Sequence, residues 1–144
     1  MSDIAKVSGK NFTLAQLGDL ENLDQYGERM KGKLFLKDIL NLTGMEVSMN
    51  KLPAGKQIPF YHKHKNDEEL YIFIKGQGQF QIDGETLDVR EGTVIRVAPE
   101  GSRIWRNNSN EDLYFIVIQA AQNSLNAWTA TDGIIEEKPI TWPE

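Results

Sequence analysis

From residue 45 the chain alternates. Met45, Val47 and Met49 fall between Glu46, Ser48 and Asn50, the period of two that marks a half-buried β-strand. Short segments of the same kind follow at 79–82, 85–89, 93–97 and 104–107. Residues 70–74 (LYIFI) and 113–119 (LYFIVIQ) are apolar at both parities, which predicts central strands covered on each side. Turn signals separate the segments at Pro53-Ala54-Gly55, Gly76-Gln77-Gly78, Glu91-Gly92, Pro99-Glu100-Gly101 and 109–112. Asp83-Gly84 reads as a two-residue hairpin, because both residues tolerate positive φ. Roughly seven strands at this spacing predict an all-β sandwich, jelly roll or small barrel.

The flanks are less regular. Residues 1–9 read as a loose lead-in and 13–20 (TLAQLGDL) as a short helix capped by Thr13, with Leu14 and Leu17 on one side. Residues 21–32 are polar and read as loop, while 33–42 (KLFLKDILNL) fit a strand as well as a helical turn. Beyond residue 119 the pattern is irregular, with a turn at Asp132-Gly133 and Ile134, Ile135, Ile140 and Trp142 expected to lie back on the domain. The expected organisation is an N-terminal extension over 1–44 packing on a barrel over 45–119, then a C-terminal extension over 120–144, all one structural domain.

Composition narrows the classes. The apolar share of 40% and charged share of 26% suit a soluble globular domain, and 144 residues suffice for one core. A net charge of −5 argues against nucleic acid or anionic lipid as partner. No apolar run approaches ~18 residues, so no membrane span is expected. The absence of cysteine excludes disulfides and thiolate chemistry and fits a reducing cytoplasm. With no apolar leader at the start, a cytoplasmic location is the expectation. Nucleophile-elbow, phosphate-loop and dinucleotide patterns are absent from the sequence.

The candidate chemistry sits at the start of the alternating region. The chain has two histidines, His62 and His64, with Glu68 and Glu69 just before the 70–74 run. Residues i and i+2 of a strand share a face, so both imidazoles can converge on one point. A carboxylate a few residues on would complete a donor set suited to Zn, Fe, Mn or Ni. The plainer alternative is a pair of hydrogen-bonded edge-strand histidines beside solvated acids.

These residues resemble the cupin family. Its first motif, G-x5-H-x-H-x3–4-E-x6-G, is matched by Gly55, His62, His64, Glu69 and Gly76, with one extra residue after Gly55; Glu68 is the fallback acid. Its second, G-x5-P-x-G-x2-H-x3-N, is matched by Gly92, Pro99, Gly101 and Asn108, again with one extra residue, but Ile104 stands at its histidine. The resemblance implies a cupin-type double-stranded β-helix, a jelly-roll barrel with short flanking helical turns. It also implies a divalent metal on His62, His64 and Glu69, with the fourth ligand missing.

Parity then orders the neighbours. If Glu69 faces inward, so do Tyr71 and Phe73, which fill core or stack on a ligand. If Ile104 faces inward, Arg106 shares its face and could bind a ligand carboxylate or phosphate, with Trp105 outward; a bulge near 99–101 would reverse this. The expected function is metal-assisted binding of a small oxygen-rich or anionic molecule. It could be a metal-dependent enzyme, a dioxygenase-like oxidoreductase or an isomerase, and its rival is a non-catalytic binding or sensing module with an incomplete metal site. A homodimer is expected, since small cupins commonly pair and the apolar residues between 34 and 42 need a surface to cover.

Overall fold

The computed structural model describes residues 4–144. Among them ten strands form two facing sheets and a hairpin. Strands β1 (Ala5–Ser8) and β2 (Thr13–Gln16) pair as the N-terminal hairpin. A 3-10 turn (Leu20–Gln25), β3 (Lys33–Phe35) and the one-turn helix α1 (Lys37–Leu40) lead into β4 (Glu46–Leu52). The remaining strands are β5 (Asp67–Lys75), β6 (Gln77–Ile82), β7 (Glu85–Arg90), β8 (Val94–Val97), β9 (Arg103–Arg106) and β10 (Leu113–Ala121). One sheet runs β3-β4-β10-β5-β8 and the other β7-β6-β9. They are not hydrogen-bonded into a closed barrel, but the order is that of a jelly roll.

The alternating patterns became strands where expected, and Asp83-Gly84 forms the β6–β7 turn with φ of 50° and 80°. Gly76 closes the β5–β6 turn at φ 95°, where a Cβ would stand 2.5 Å from the Asp112 carbonyl oxygen. The inner faces of both sheets bury Tyr71, Phe73, Phe80, Trp105, Phe115 and Val117. Trp105 is central: it stacks on Phe80 at 5.7 Å and meets Tyr71 and Phe115 edge-on at 5.1 and 5.8 Å. Such aromatic pairs each add about 1 kcal/mol beyond their area.

Several expectations are corrected. Residues 13–16 are strand, not helix, because β1 offers a partner; residues 1–3 of the lead-in lie outside the described residues. The loop expected over 21–32 begins inside the 3-10 turn, whose Leu23 joins Tyr26 and Leu34 in a second buried cluster. Residues 33–42 hold both candidates in succession, β3 and then α1. The central strands β5 and β10 are fully buried only on the inner face, leaving Leu70, Ile72, Ile116 and Ile118 half-buried outside. Residues 122–144 do not lie back on the domain: all are exposed.

Candidate functional site

The site opens between the two sheets. The segment before β5 is tied across to β9 by reciprocal backbone bonds, His62 N–H to Arg103 O at 3.1 Å and Arg103 N–H to His62 O at 3.0 Å. The His64 N–H donates to Pro99 O at 3.1 Å. This bridge fixes which way the histidines face, since directly paired residues project to one side. Glu69 reaches the same place from β5, opposite Gln119 and Val97.

The two imidazoles grip one carboxylate. His62 Nε2 lies 3.7 Å from Glu69 Oε1 and His64 Nε2 lies 3.3 Å from Oε2. Donor atoms of the three residues fall within 4.8 Å of one another. The Tyr71 hydroxyl donates to Glu69 Oε1 at 2.6 Å, and Arg103 Nη2 stands 3.3 Å from the same oxygen. Burial alone would raise the Glu69 pKa. Bonds from His62 and Tyr71 and the charges of His64 and Arg103 outweigh it and bring the carboxyl from 4.5 down to about 2. Burial first, then the Glu69 charge, pushes the Tyr71 phenol well up, so it stays a donor.

Among the described residues, five buried side-chain nitrogens make no well-aligned hydrogen bond: His62 Nδ1, His64 Nε2, Arg103 Nε and Nη2, and Trp105 Nε1. Of these, His64 Nε2 and Arg103 Nη2 are ion-paired with Glu69 at 3.3 Å, and Trp105 packs against His62 with ring centroids 5.9 Å apart. Buried polar groups in native folds are nearly always satisfied by protein or ordered water, so these atoms are open to a further partner, water included. Two imidazoles and a carboxylate on one cavity wall are chemically competent to hold a divalent ion. The cavity they line is about 230 Å³, and Lys33, Ser48 and Phe60 form part of its remaining wall.

The β9 parity is the reverse of the sequence expectation. Arg103 and Trp105 point inward and are buried, at 0% and 3% exposure, whereas Arg106 is exposed and bound to Gln79 Oε1 through Nε and Nη2 at 3.0 and 2.6 Å. Ile104 and Arg106 line a separate groove on the outer side of the three-stranded sheet, with Tyr61 and Gln81. Neither reaches His62 or His64. Of the two inward aromatics, Phe73 fills core, 5.4 Å from Phe115, while Tyr71 also lines the cavity. Glu68 faces away and pairs with Arg96 at 2.8 Å, leaving Glu69 as the acid of the cluster.

Two residues escaped the sequence reading. Arg103 is the inward residue closest to the second motif's histidine place. The buried asparagine is Asn107, whose side-chain amide donates to Leu52 O and Glu111 O at 2.8 and 2.7 Å, and counting the motif back from Asn107 lands on Arg103. Lys33 is the other. Paired with Asn50 in β3–β4, it turns into the cavity, and its Nζ donates to Ser48 Oγ and Asn50 Oδ1, both at 3.2 Å.

A cupin domain is matched over residues 49–119. A cupin protein from Bacteroides fragilis is 39% identical, over 80% of this chain and 98% of that one, with a TM-score of 0.69. An oxalate-binding protein from Thermotoga maritima is 27% identical over 92 residues, 64% of this chain and 75% of its own length. A protein with a double-stranded β-helix domain from Klebsiella pneumoniae shares the fold at 14% identity, over 76% of this chain and 92% of that one, with a TM-score of 0.60.

Proposed function

Since this chain belongs to the cupin family, we propose that its inner cavity holds a divalent ion on His62, His64 and Glu69 and binds a small oxygen-rich anion there. The observation that carries this is the convergence of His62, His64 and Glu69 on one cavity wall, their donor atoms within 4.8 Å of one another. The two imidazoles and the carboxylate would hold the ion, and an oxyanion beside it would meet the neighbouring N–H donors. The ion would be one of Zn, Fe, Mn or Ni, and it would supply Lewis-acid polarisation of a bound oxygen.

Charge explains why the ligand is anionic. Glu69 is the single carboxylate of the donor set, and Arg103 already faces it at 3.3 Å. Glu46, the other acid of the lining, is tied through Oε1 to the backbone N–H groups of Lys37 and Val47 at 2.8 and 3.0 Å. Adding a divalent ion leaves the cavity positive, and an anion restores balance. The chain's own residues divide the remaining work. Tyr71 and Arg103 hold the Glu69 carboxylate in place, Trp105 closes the floor, and Phe60 packs edge-on to His62 at 6.4 Å. The oxalate-binding relative from Thermotoga maritima supports this ligand class.

A second reading, a binding or sensing module without turnover, is favoured by one observation: Arg103, which offers no lone pair, stands nearest the second motif's histidine place. Elemental analysis of protein purified without added metal, followed by calorimetric titration with oxalate, tests the proposal. Stoichiometric metal and oxalate binding that His64→Ala abolishes are expected. Metal-free protein that takes up none of the four ions would sink it.

A further inference from the structure

We propose, resting on the reading of this cavity as an anion site, that Lys33 is a second anchor and that the ligand is a two-headed oxyanion. One head lies at the His62–His64–Glu69 end and the other on the Lys33 ammonium. The β3–β4 register sets this up. Lys33 pairs with Asn50 and Phe35 with Ser48, so both side chains face the cavity, while Leu34 pairs with Met49 on the outside. A lysine on a strand three residues long, otherwise apolar, therefore enters the interior rather than solvent.

Its partners are incomplete. An ammonium has three N–H donors, and Lys33 spends two on the neutral acceptors Ser48 Oγ and Asn50 Oδ1, its remaining contact being the face of the Phe35 ring 5.1 Å from Nζ. Among the described residues no carboxylate oxygen comes within 4.0 Å of its Nζ. A cation withdrawn from water without an anionic partner is costly. Burial accordingly lowers the Lys33 pKa, with the charges of Glu69 and Glu46 only partly opposing the shift. An anionic head on the third N–H supplies the missing partner. The cavity of about 230 Å³ restricts the ligand to a few carbons, below the usual drug-sized range of roughly 300–1,000 Å³.

A lysine that merely staples β3 to β4 would change stability and nothing else. Full-length protein carrying Mn²⁺ is titrated calorimetrically with malonate and with acetate. The wild type is expected to prefer malonate by about tenfold or more. Lys33→Met is expected to reduce that preference below about twofold while metal content and acetate affinity stay unchanged. A malonate preference that survives in Lys33→Met, or a wild type that does not distinguish the two anions, overturns the proposal and leaves the metal reading standing. Should the Met variant fail to melt cooperatively, Lys33→Gln, which keeps a donor toward Ser48 and Asn50, serves in the same comparison. If the wild type takes up no Mn²⁺, Zn²⁺, Fe²⁺ or Ni²⁺, the metal reading fails by itself. The same two anions on the metal-free protein then decide Lys33: a preference lost in the variant supports it, and no binding of either overturns it.

Discussion

Arg103 Nη2 stands 3.3 Å from Glu69 Oε1, and solvent reaches neither side chain appreciably, at 0% and 6% exposure. The guanidinium is not free to leave. Its Nη1 donates to Gly101 O at 2.8 Å and to His62 O at 3.3 Å, so the backbone that positions His62 also holds the arginine. One buried cation thus ties the carboxylate of β5 to the histidine segment and to β9. The pair fixes the site's geometry.

Removing one partner of a buried pair costs more than the pair itself contributes, because the other charge is stranded. Arg103→Met should lower stability by about 3 kcal/mol or more. Chemical denaturation of the metal-free protein measures this, and a loss below about 0.5 kcal/mol, as at an ordinary surface site, would contradict the buried-pair geometry.

Arg103→His and Ile104→His separate two alignments of the second motif. Residue 103 pairs with His62 and shares its face, whereas residue 104 lines the outer groove. Arg103→His should tighten Zn²⁺ or Ni²⁺ binding by about tenfold, worth ~1.4 kcal/mol, and Ile104→His should leave it unchanged. The reverse result in folded variants would restore the parity read from the sequence.

The proposed ligands predict a contrast within three consecutive residues. Lys63 faces outward and pairs with Glu100 at 3.3 Å. His62→Ala and His64→Ala should each lose bound metal, and Lys63→Ala should keep it. Metal content measured after dialysis decides, and equal content in all three variants would remove the site.

The Glu69 carboxyl contributes to acid sensitivity. Its folded pKa of about 2 lies below the ordinary 4.5. A depressed carboxyl stabilises the fold fully above pH 4.5, and this contribution fades as pH falls toward 2. The amount is on the order of 3 kcal/mol in the metal-free protein. Glu69→Gln should flatten the stability curve across that window. An unchanged acid slope in the variant would show that the carboxyl is not held down.

The fold was legible because the strands from β4 onward carry their own signal: alternation, two apolar runs, and turns such as Asp83-Gly84 whose residues allow positive φ. The cluster of His62, His64 and Glu69 was legible from its spacing, although the expected strand through the histidines is reduced to the isolated His62–Arg103 bridge and His64 lies outside any strand. What the sequence hides is parity in β9. Arg103-Ile104-Trp105-Arg106 places one apolar and one charged residue on each face, so polarity alone gives no preference. The aromatic packing of Trp105 on Phe80 and the Asn107 clamp settle it, and both are long-range contacts. Lys33 was hidden because its strand is too short to show a period, and only pairing with β4 turns it inward. The helix expected over 13–20 failed in the same way: β2 exists because β1 pairs with it.

The last expectation concerns a second copy of the chain. The sequence put its contact on the apolar residues between 34 and 42, but Leu34 is buried and Leu36 and Ile39 pack beside it within the chain, so the uncovered surface lies elsewhere. The five-stranded sheet is closed by core on its inner face, but its outer face carries Leu70, Ile72, Ile116 and Ile118 only half-buried, with Val94 at 62% exposure beside them. Ile72 pairs with both Ile116 and Val94, so these residues form one continuous apolar patch. The C-terminal segment brings further uncovered surface, with Ile135 at 92% exposure. Contiguous apolar patches of this kind on monomers generally mark an interface. We propose that the outer face of β10-β5-β8 pairs with its counterpart on a second copy, which also completes the two-sided covering that the sequence of β5 and β10 calls for. Val94→Lys adds a charge at an exposed position, so it should leave the melting of the single chain nearly unchanged while weakening association by about tenfold or more. Light scattering across a concentration series reads this directly. A wild type that remains monomeric at micromolar concentration, or a Val94→Lys variant that dimerises as tightly as the wild type, would rule this face out.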